Sequence, residues 1–246
     1  MVDDPKKEQS AIQQPSTSHL SPWLTPLAYF LGNRILMPLY FGRIKIIGQE
    51  NLPLSGPVIL APTHRSRWDA LMVAYATGRS VTGRDLRFMV TADEVRGVQG
   101  WFIRRLGGFP IDVFRPSITT LRHGVNLLRA GEMLVVFPEG GIFRDQQVHK
   151  LKPGLARIAL QSEALANGLG VKIVPVSLHY DLSCGQKCPQ WGSDVEVRIG
   201  KPIEVKSYAQ GTPKVQAQCL TAELSGSLQG LLAGQAERPL AIAAFR

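Results

Sequence analysis

The stretch PVILAPTHRSRWDALMVAYA, residues 57–76, changes its hydrophobic period halfway along. Val58 to Ala61 is an unbroken apolar run closed by Pro62, the pattern of a strand covered on both faces. From Trp68 onward apolar residues recur at helical spacing, which predicts a helix over Trp68–Thr77. Strand, short loop and helix in that order make the repeating unit of an α/β fold. His64 then falls in the loop beyond the strand's C-terminal end, the edge where ligands of open α/β sheets bind. Five residues on lies Asp69; on one regular helix that offset turns about 500°, which puts the two side chains on different faces. With His64 in the loop and Asp69 in the first helical turn, the carboxylate can instead reach back to the imidazole. There it would fix the tautomer and stabilise the protonated ring. A plainer reading stands beside this one: Ser66 and Asp69 nearly form a capping box, making Asp69 a helix cap and His64 a loop residue.

Working outward, apolar runs predict further strands at Arg43–Ile47, Leu86–Val90, Phe109–Val113, Met133–Phe137, Lys172–Val176 and Val195–Ile199. Helical patterns cover Gly100–Leu106, Ile118–Arg129, Gly154–Asn167 and Lys214–Leu232. The alternation predicts an α/β fold, a mostly parallel central sheet flanked by helices. No repeat or long linker divides residues 43–246, which read as one domain. Residues 1–19 are largely polar, lack a signal peptide's apolar core and read as a disordered leader. Residues 20–42 read as an N-terminal membrane-facing helical element. Its segment PWLTPLAYFLGNRILMPLYFG, residues 22–42, is about long enough to cross a bilayer, which takes roughly 20 residues. Asn33 and Arg34 occupy its middle, and Pro26 and Pro38 interrupt it. A charge at mid-bilayer costs about 2.5 kcal/mol or more. Shallow insertion, with Trp23, Tyr29, Phe30, Leu36, Tyr40 and Phe41 in the interface, is therefore favoured over spanning; an ordinary core helix is the alternative.

Twenty-eight basic residues against 19 acidic leave a net charge of +9, which selects anionic partners: nucleic acid, an acidic membrane surface or a phosphorylated substrate. Aromatics do not interleave with the basic residues as a nucleic-acid platform requires, so no nucleic acid is expected. Cys184, Cys188 and Cys219 form no disulfide framework and suit a reducing compartment. The expected location is thus membrane-associated, at the cytoplasmic face. The C-x3-C pair near His179 has atypical zinc spacing, and no cofactor or metal motif is present. The absence of a G-x-S-x-G elbow argues against a serine hydrolase.

A second segment, EMLVVFPEGGIFR at Glu132–Arg144, places a strand before Pro138, Glu139 and two glycines. Gly140 and Gly141 allow close backbone approach to a ligand. Glu139, at the same sheet edge as His64, can hold a hydroxyl or orient an arginine, or it is an exposed residue of a tight turn. Downstream, LKPGLARIAL (residues 151–160) opens a helix at that edge behind Lys152.

Taken in order, His-x4-Asp after a strand, Phe-Pro-Glu-Gly about 70 residues later, Lys-x-Gly opening a helix, then Val174-Pro175-Val176, these motifs resemble the glycerophospholipid acyltransferase family. The likeness is nearest to its bacterial 1-acylglycerol-3-phosphate acyltransferases. It covers roughly residues 40 to 205. The resemblance implies His64 and Asp69 as the catalytic dyad. It also implies that Gly108-Phe109-Pro110-Ile111-Asp112 is the second motif, with Val113 where an arginine is expected and Arg115 nearest. In the third motif Phe137 to Gly140 are kept, but Gly141-Ile142 replace Thr-Arg, and Arg144 is the nearest arginine. Arg115, Glu139, Gly140, Arg144 and Lys152 are accordingly the expected substrate-binding residues.

The implied reaction needs no cofactor. His64 would remove the proton from an acceptor hydroxyl as it attacks the thioester of acyl-CoA or acyl-carrier protein. The implied acceptor is a lysophospholipid, 1-acylglycerol-3-phosphate, at a membrane lipid surface, and the product is phosphatidate for phospholipid synthesis. Arg65 and Arg67 flank the base, either attracting an anionic substrate or forming a solvated basic edge. Glycerol-3-phosphate, another lysophospholipid or an aminolipid are alternative acceptors; a non-catalytic lipid-binding module is the alternative of another class.

Overall fold

The computed structural model describes residues 18–112, 115–145, 147–165, 168–181 and 188–236. The expectations for the leader before Ser18, for Val113 and for Cys184 therefore lie outside the described residues. In chain order the elements are α1 (Leu24–Leu31), α2 (Met37–Tyr40), β1 (Ile44–Ile47), β2 (Val58–Pro62), α3 (Asp69–Thr77), α4 (Arg79–Thr82), β3 (Leu86–Thr91), α5 (Gly97–Arg105) and β4 (Gly108–Ile111). There follow α6 (Ile118–Arg129), β5 (Met133–Val135), α7 (Gly154–Leu165), β6 (Lys172–Tyr180), β7 (Val195–Ile199), β8 (Ile203–Glu204) and α8 (Pro213–Ala236).

The strands form one sheet in the order β1-β7-β6-β2-β5-β3-β4, with β8 also paired to β6. From β6 to β4 all neighbours are parallel, whereas β7 and β8 run antiparallel to β6. Because strand side chains alternate, the sheet feeds two cores. Ile59 and Ala61 of β2, Leu134 of β5 and Ile173 of β6 pack with α6, α7 and α8. Val58 and Leu60, Met133 and Val135, and Val174 to Tyr180 at every second residue pack with α3 and the end of α2. The expected sheet covered by helices on both faces is thus what the apolar strands build.

Two departures have physical causes. β6 continues past Val176 to Tyr180 because antiparallel β7 supplies hydrogen-bond partners along Val176–Tyr180. The N-terminal segment stays helical through its prolines. Pro26 falls in the first turn of α1, where a missing N–H costs nothing. Pro38 follows the π-helical turn Gly32–Leu36, and such a widened turn is a usual companion of a disrupted i→i−4 ladder.

That segment also divides its aromatics differently from expectation. Trp23, Phe30 and Leu36 are exposed. Phe41 is instead buried in the core with Met37, Tyr40 stacks on Trp68 at 4.2 Å, and burial pushes the Tyr29 phenol up to about 12. The inward three therefore do not belong to an interfacial face. Among the described residues no helix is long and apolar enough to cross a membrane.

The strand that carries the site is held by this packing. Leu60 is fully buried between β5 and β6, and a Leu→Ala truncation in such a core costs about 2–5 kcal/mol. Leu60→Ala should lower the urea unfolding midpoint by the corresponding amount with an unchanged denaturant slope.

Candidate active site

The loop after β2 is fixed residue by residue. Thr63 N–H donates to the Val176 carbonyl at 2.9 Å, and its hydroxyl accepts from Leu178 N–H at 3.0 Å. His64 N–H donates to Glu139 Oε2 at 2.8 Å, while its carbonyl accepts from Phe143 N–H at 2.8 Å. The backbone carrying the imidazole is therefore tied to β6 on one side and to the Pro-Glu-Gly turn on the other.

His64 Nδ1 lies 2.8 Å from Asp69 Oδ2. That oxygen also accepts the N–H groups of Arg65 at 2.5 Å and Ser66 at 2.8 Å. Asp69 thus binds the imidazole and holds the turn before α3, of which it is the first residue; no side chain caps that helix. Asp69 is 0% exposed, and the His64 side chain 20%. An aspartate at this distance fixes Nδ1 as the donor and leaves Nε2 as the acceptor nitrogen. The ring is further held against Phe137, with centroids 4.1 Å apart and planes inclined by 27°. Such an imidazole can take a proton at Nε2 while its carboxylate partner stabilises the charge.

Arg65 belongs neither to a solvated edge nor to a substrate-facing patch. It is buried, and its Nη1 donates to both Glu139 oxygens at 3.2 and 3.0 Å and to the Phe143 carbonyl at 3.2 Å. Nη2 donates to the Gln147 carbonyl at 2.8 Å. Glu139 Oε1 accepts a further bond from His149 N–H at 3.0 Å. Glu139 orients an arginine, one of the alternatives legible in the sequence, and its two oxygens are occupied by groups of the chain. Local sequence did not single out Arg65 as that arginine, because HRSR reads as a basic run. Arg67 does stay exposed, paired with Glu94.

His64 opens onto a cavity of about 890 Å³. Its wall is largely apolar, and Ala74, Phe88, Met89, Ile111, Leu155 and Ile158 are part of it. The charged and polar groups reaching it include Arg67, Lys152 and Arg157. Gly140 joins that wall with φ of 68°, and a Cβ there would come 2.7 Å from Lys152 Cε. Glycine therefore lets the Lys152 side chain lie against the turn. The structure brings His64, Asp69, Glu139, Gly140 and Lys152 together. Arg115 and Arg144 are exposed and belong to no part of the cavity wall; Arg115 N–H donates to Asp112 Oδ1 at 2.9 Å. Arg157, one helical turn into α7, was not among the expected site residues; its place in the LKPGLAR segment was the available signal. No cluster of residues able to hold a metal ion occurs among the described residues.

A family model described as Acyltransferase matches residues 43–179. The chain is 24% identical over 191 residues to a 1-acyl-sn-glycerol-3-phosphate acyltransferase of Bacillus subtilis, covering 77% of this chain and 88% of that one. A Streptococcus pneumoniae protein of the same name is 27% identical over 151 residues, 60% of this chain and 50% of the relative. In fold the chain resembles the crystal structure of the Thermotoga maritima 1-acyl-sn-glycerophosphate acyltransferase PlsC. The TM-score is 0.67 at 20% identity, over 88% of this chain and 81% of that one.

The Arg65–Glu139 brace generates a stability prediction. Removing one partner of a buried pair leaves the other charge uncompensated, at a cost of about 3–5 kcal/mol. Arg65→Ala should lower stability by that order in equilibrium urea unfolding, whereas Arg67→Ala on the exposed flank should change it by less than about 1 kcal/mol.

Proposed function

The chain belongs to the glycerophospholipid acyltransferase family, and we propose that it transfers a fatty acyl group from acyl-CoA or acyl-carrier protein to the free hydroxyl of 1-acylglycerol-3-phosphate. The product of that reaction is phosphatidate. The observation that carries the reading is the His64–Asp69 contact of 2.8 Å at the wall of a large apolar cavity.

In this mechanism His64 Nε2 takes the proton of the acceptor hydroxyl as its oxygen attacks the thioester carbonyl. The new C–O bond forms, the C–S bond breaks, and the imidazolium, held by Asp69, returns its proton to the departing thiolate. Free thiols ionise near pH 8.5, so the leaving group needs no strong general acid. The apolar wall suits the acyl chain. Lys152 and Arg157, on the same wall, are better situated for the acceptor phosphate than Arg115 or Arg144, whose side chains stand away from it. A lysine gives that phosphate a point charge and an arginine a fork of donors.

Thioester cleavage with a panel of acceptors tests this. His64→Ala should lose about 10²-fold or more of turnover, the usual worth of a general base, and Asp69→Asn should fall steeply with it. Lys152→Ala and Arg157→Ala should weaken use of 1-acylglycerol-3-phosphate about tenfold more than use of an uncharged monoacylglycerol, given about 1.5–3 kcal/mol per charge-assisted bond. Near-normal turnover of His64→Ala would show that the base is another group.

The reading includes docking of the N-terminal helical element on a membrane surface. Trp23, Leu27, Leu31, Ile35 and Leu39 recur every fourth residue along it and are all exposed, with Phe30 beside them. Such an apolar row on a basic protein suits the interface of an anionic bilayer. Because Met37 and Phe41 fill the core, removing the whole segment would damage the fold. Substituting Trp23, Phe30 and Ile35 together by Ser spares it. This variant should lose at least about tenfold in co-sedimentation with anionic vesicles, from roughly 1.5–3 kcal/mol per buried large apolar side chain. Unchanged sedimentation would put the docking face elsewhere.

A further inference from the structure

Asp69 has a second side-chain partner, one that the sequence motifs do not contain. Tyr180, the last residue of β6, is buried, and its hydroxyl donates to Asp69 Oδ1 at 2.8 Å. The two carboxylate oxygens therefore have separate partners: Oδ2 takes His64 and two backbone N–H groups, and Oδ1 takes the phenol. The phenol ring is fixed from behind by Phe41, stacked at 6.0 Å and 28°, and its backbone by pairing with Val195.

We propose that Tyr180 is a positioning residue for acyl transfer, acting through Asp69 to hold the carboxylate and to set the proton affinity of His64. This rests on His64 being the catalytic base. A hydrogen bond to a carboxylate stabilises the anion whether His64 is neutral or protonated. It does so more when the imidazole is neutral, because no neighbouring cation then shares the charge. Tyr180 thus favours the deprotonated, reactive form of the base. Burial, reinforced by the Asp69 charge, pushes the Tyr180 phenol well above its ordinary value. The hydroxyl therefore stays a donor across the range where an imidazole titrates. Its proton remains on the phenol throughout the reaction.

Other charged groups face the pair. Arg65 and Glu139 are locked together behind the loop, Arg67 is paired with Glu94, and Lys152 and Arg157 occupy the cavity wall. A change confined to the phenolic oxygen leaves all of these in place, so a titration shift it causes belongs to the contact with Asp69.

Tyr180→Phe removes that oxygen and keeps the ring against Phe41. The acid limb of the kcat/KM profile should then move to higher pH by about half a unit or more, with kcat on the plateau reduced severalfold. The NMR titration of the His64 ring, assigned with His64→Ala, should move upward in parallel. Site-specific 3-fluorotyrosine at position 180 makes the phenol a stronger donor without changing its packing, and both readouts should move to lower pH. Should Tyr180→Phe unfold, the fluorotyrosine protein alone decides. An unmoved His64 titration and acid limb in the folded proteins would reduce Tyr180 to packing and overturn the proposal. The ring titration does not depend on turnover, so failure of the base reading itself, seen as activity retained in His64→Ala, is separately visible.

Discussion

A carboxylate with no exposure to solvent constrains the whole arrangement. Taking an ionised carboxyl out of water costs several kcal/mol unless hydrogen bonds replace its hydration. Asp69 receives four such bonds, from the His64 ring, the Arg65 and Ser66 backbone and the Tyr180 phenol. These donors come from the loop after β2 and from the end of β6. They converge only because β2 and β6 pair in parallel with Pro62 opposite Val176. A slip of one residue would turn Tyr180 to the other face of the sheet and leave one oxygen without its partner. The register of the central strands and the satisfaction of one buried charge are thus the same condition.

A second buried charge repeats the device at the neighbouring strand. Glu139 emerges from the turn after β5 and meets Arg65 from the loop after β2, with His64 N–H and His149 N–H completing its shell. Neither member of the pair lines the cavity, and Arg65 also fastens the Phe143 and Gln147 carbonyls. Asp69 therefore orients the ring and Glu139 orients the backbone that carries it. The loop that holds the imidazole is fixed from both directions, the rigidity that the proposed general-base role needs.

Most of the sheet was legible because its strands are short apolar runs with clear punctuation. β8, at two residues, was too short to leave a pattern, and β6 was read as ending at Val176 although Val176, Leu178 and Tyr180 continue the inward alternation. The His64–Asp69 pair was legible because its spacing only makes sense across a loop–helix junction. Arg65 was not, since a buried arginine and a solvated one look alike within HRSR; Glu139, 74 residues away, decides between them. Tyr180 was beyond local reading for the same reason, its partner lying 111 residues back. Motifs adjacent in sequence survive in a linear reading, and contacts made by strand register do not.

The N-terminal helical element joins these levels. Its inner side supplies Thr25, Ala28, Tyr29 and Gly32 to the cavity wall, while Trp23, Leu27, Leu31 and Ile35 face outward. In the proposed reading one layer of helix separates the bilayer from the cavity that holds the acyl chain. Gly32, the first residue of the π-helical turn, has nothing within 4 Å of where a Cβ would be. In that reading a lipid acceptor would pass from the interface to His64 across one helix layer, about 10 Å thick, with its chain in apolar surroundings. This avoids the cost of about 0.8 kcal/mol for each CH₂ exposed to water along the way. The same element ends in Phe41, which packs on Tyr180, so the element proposed to meet the lipid also backs the phenol that holds Asp69.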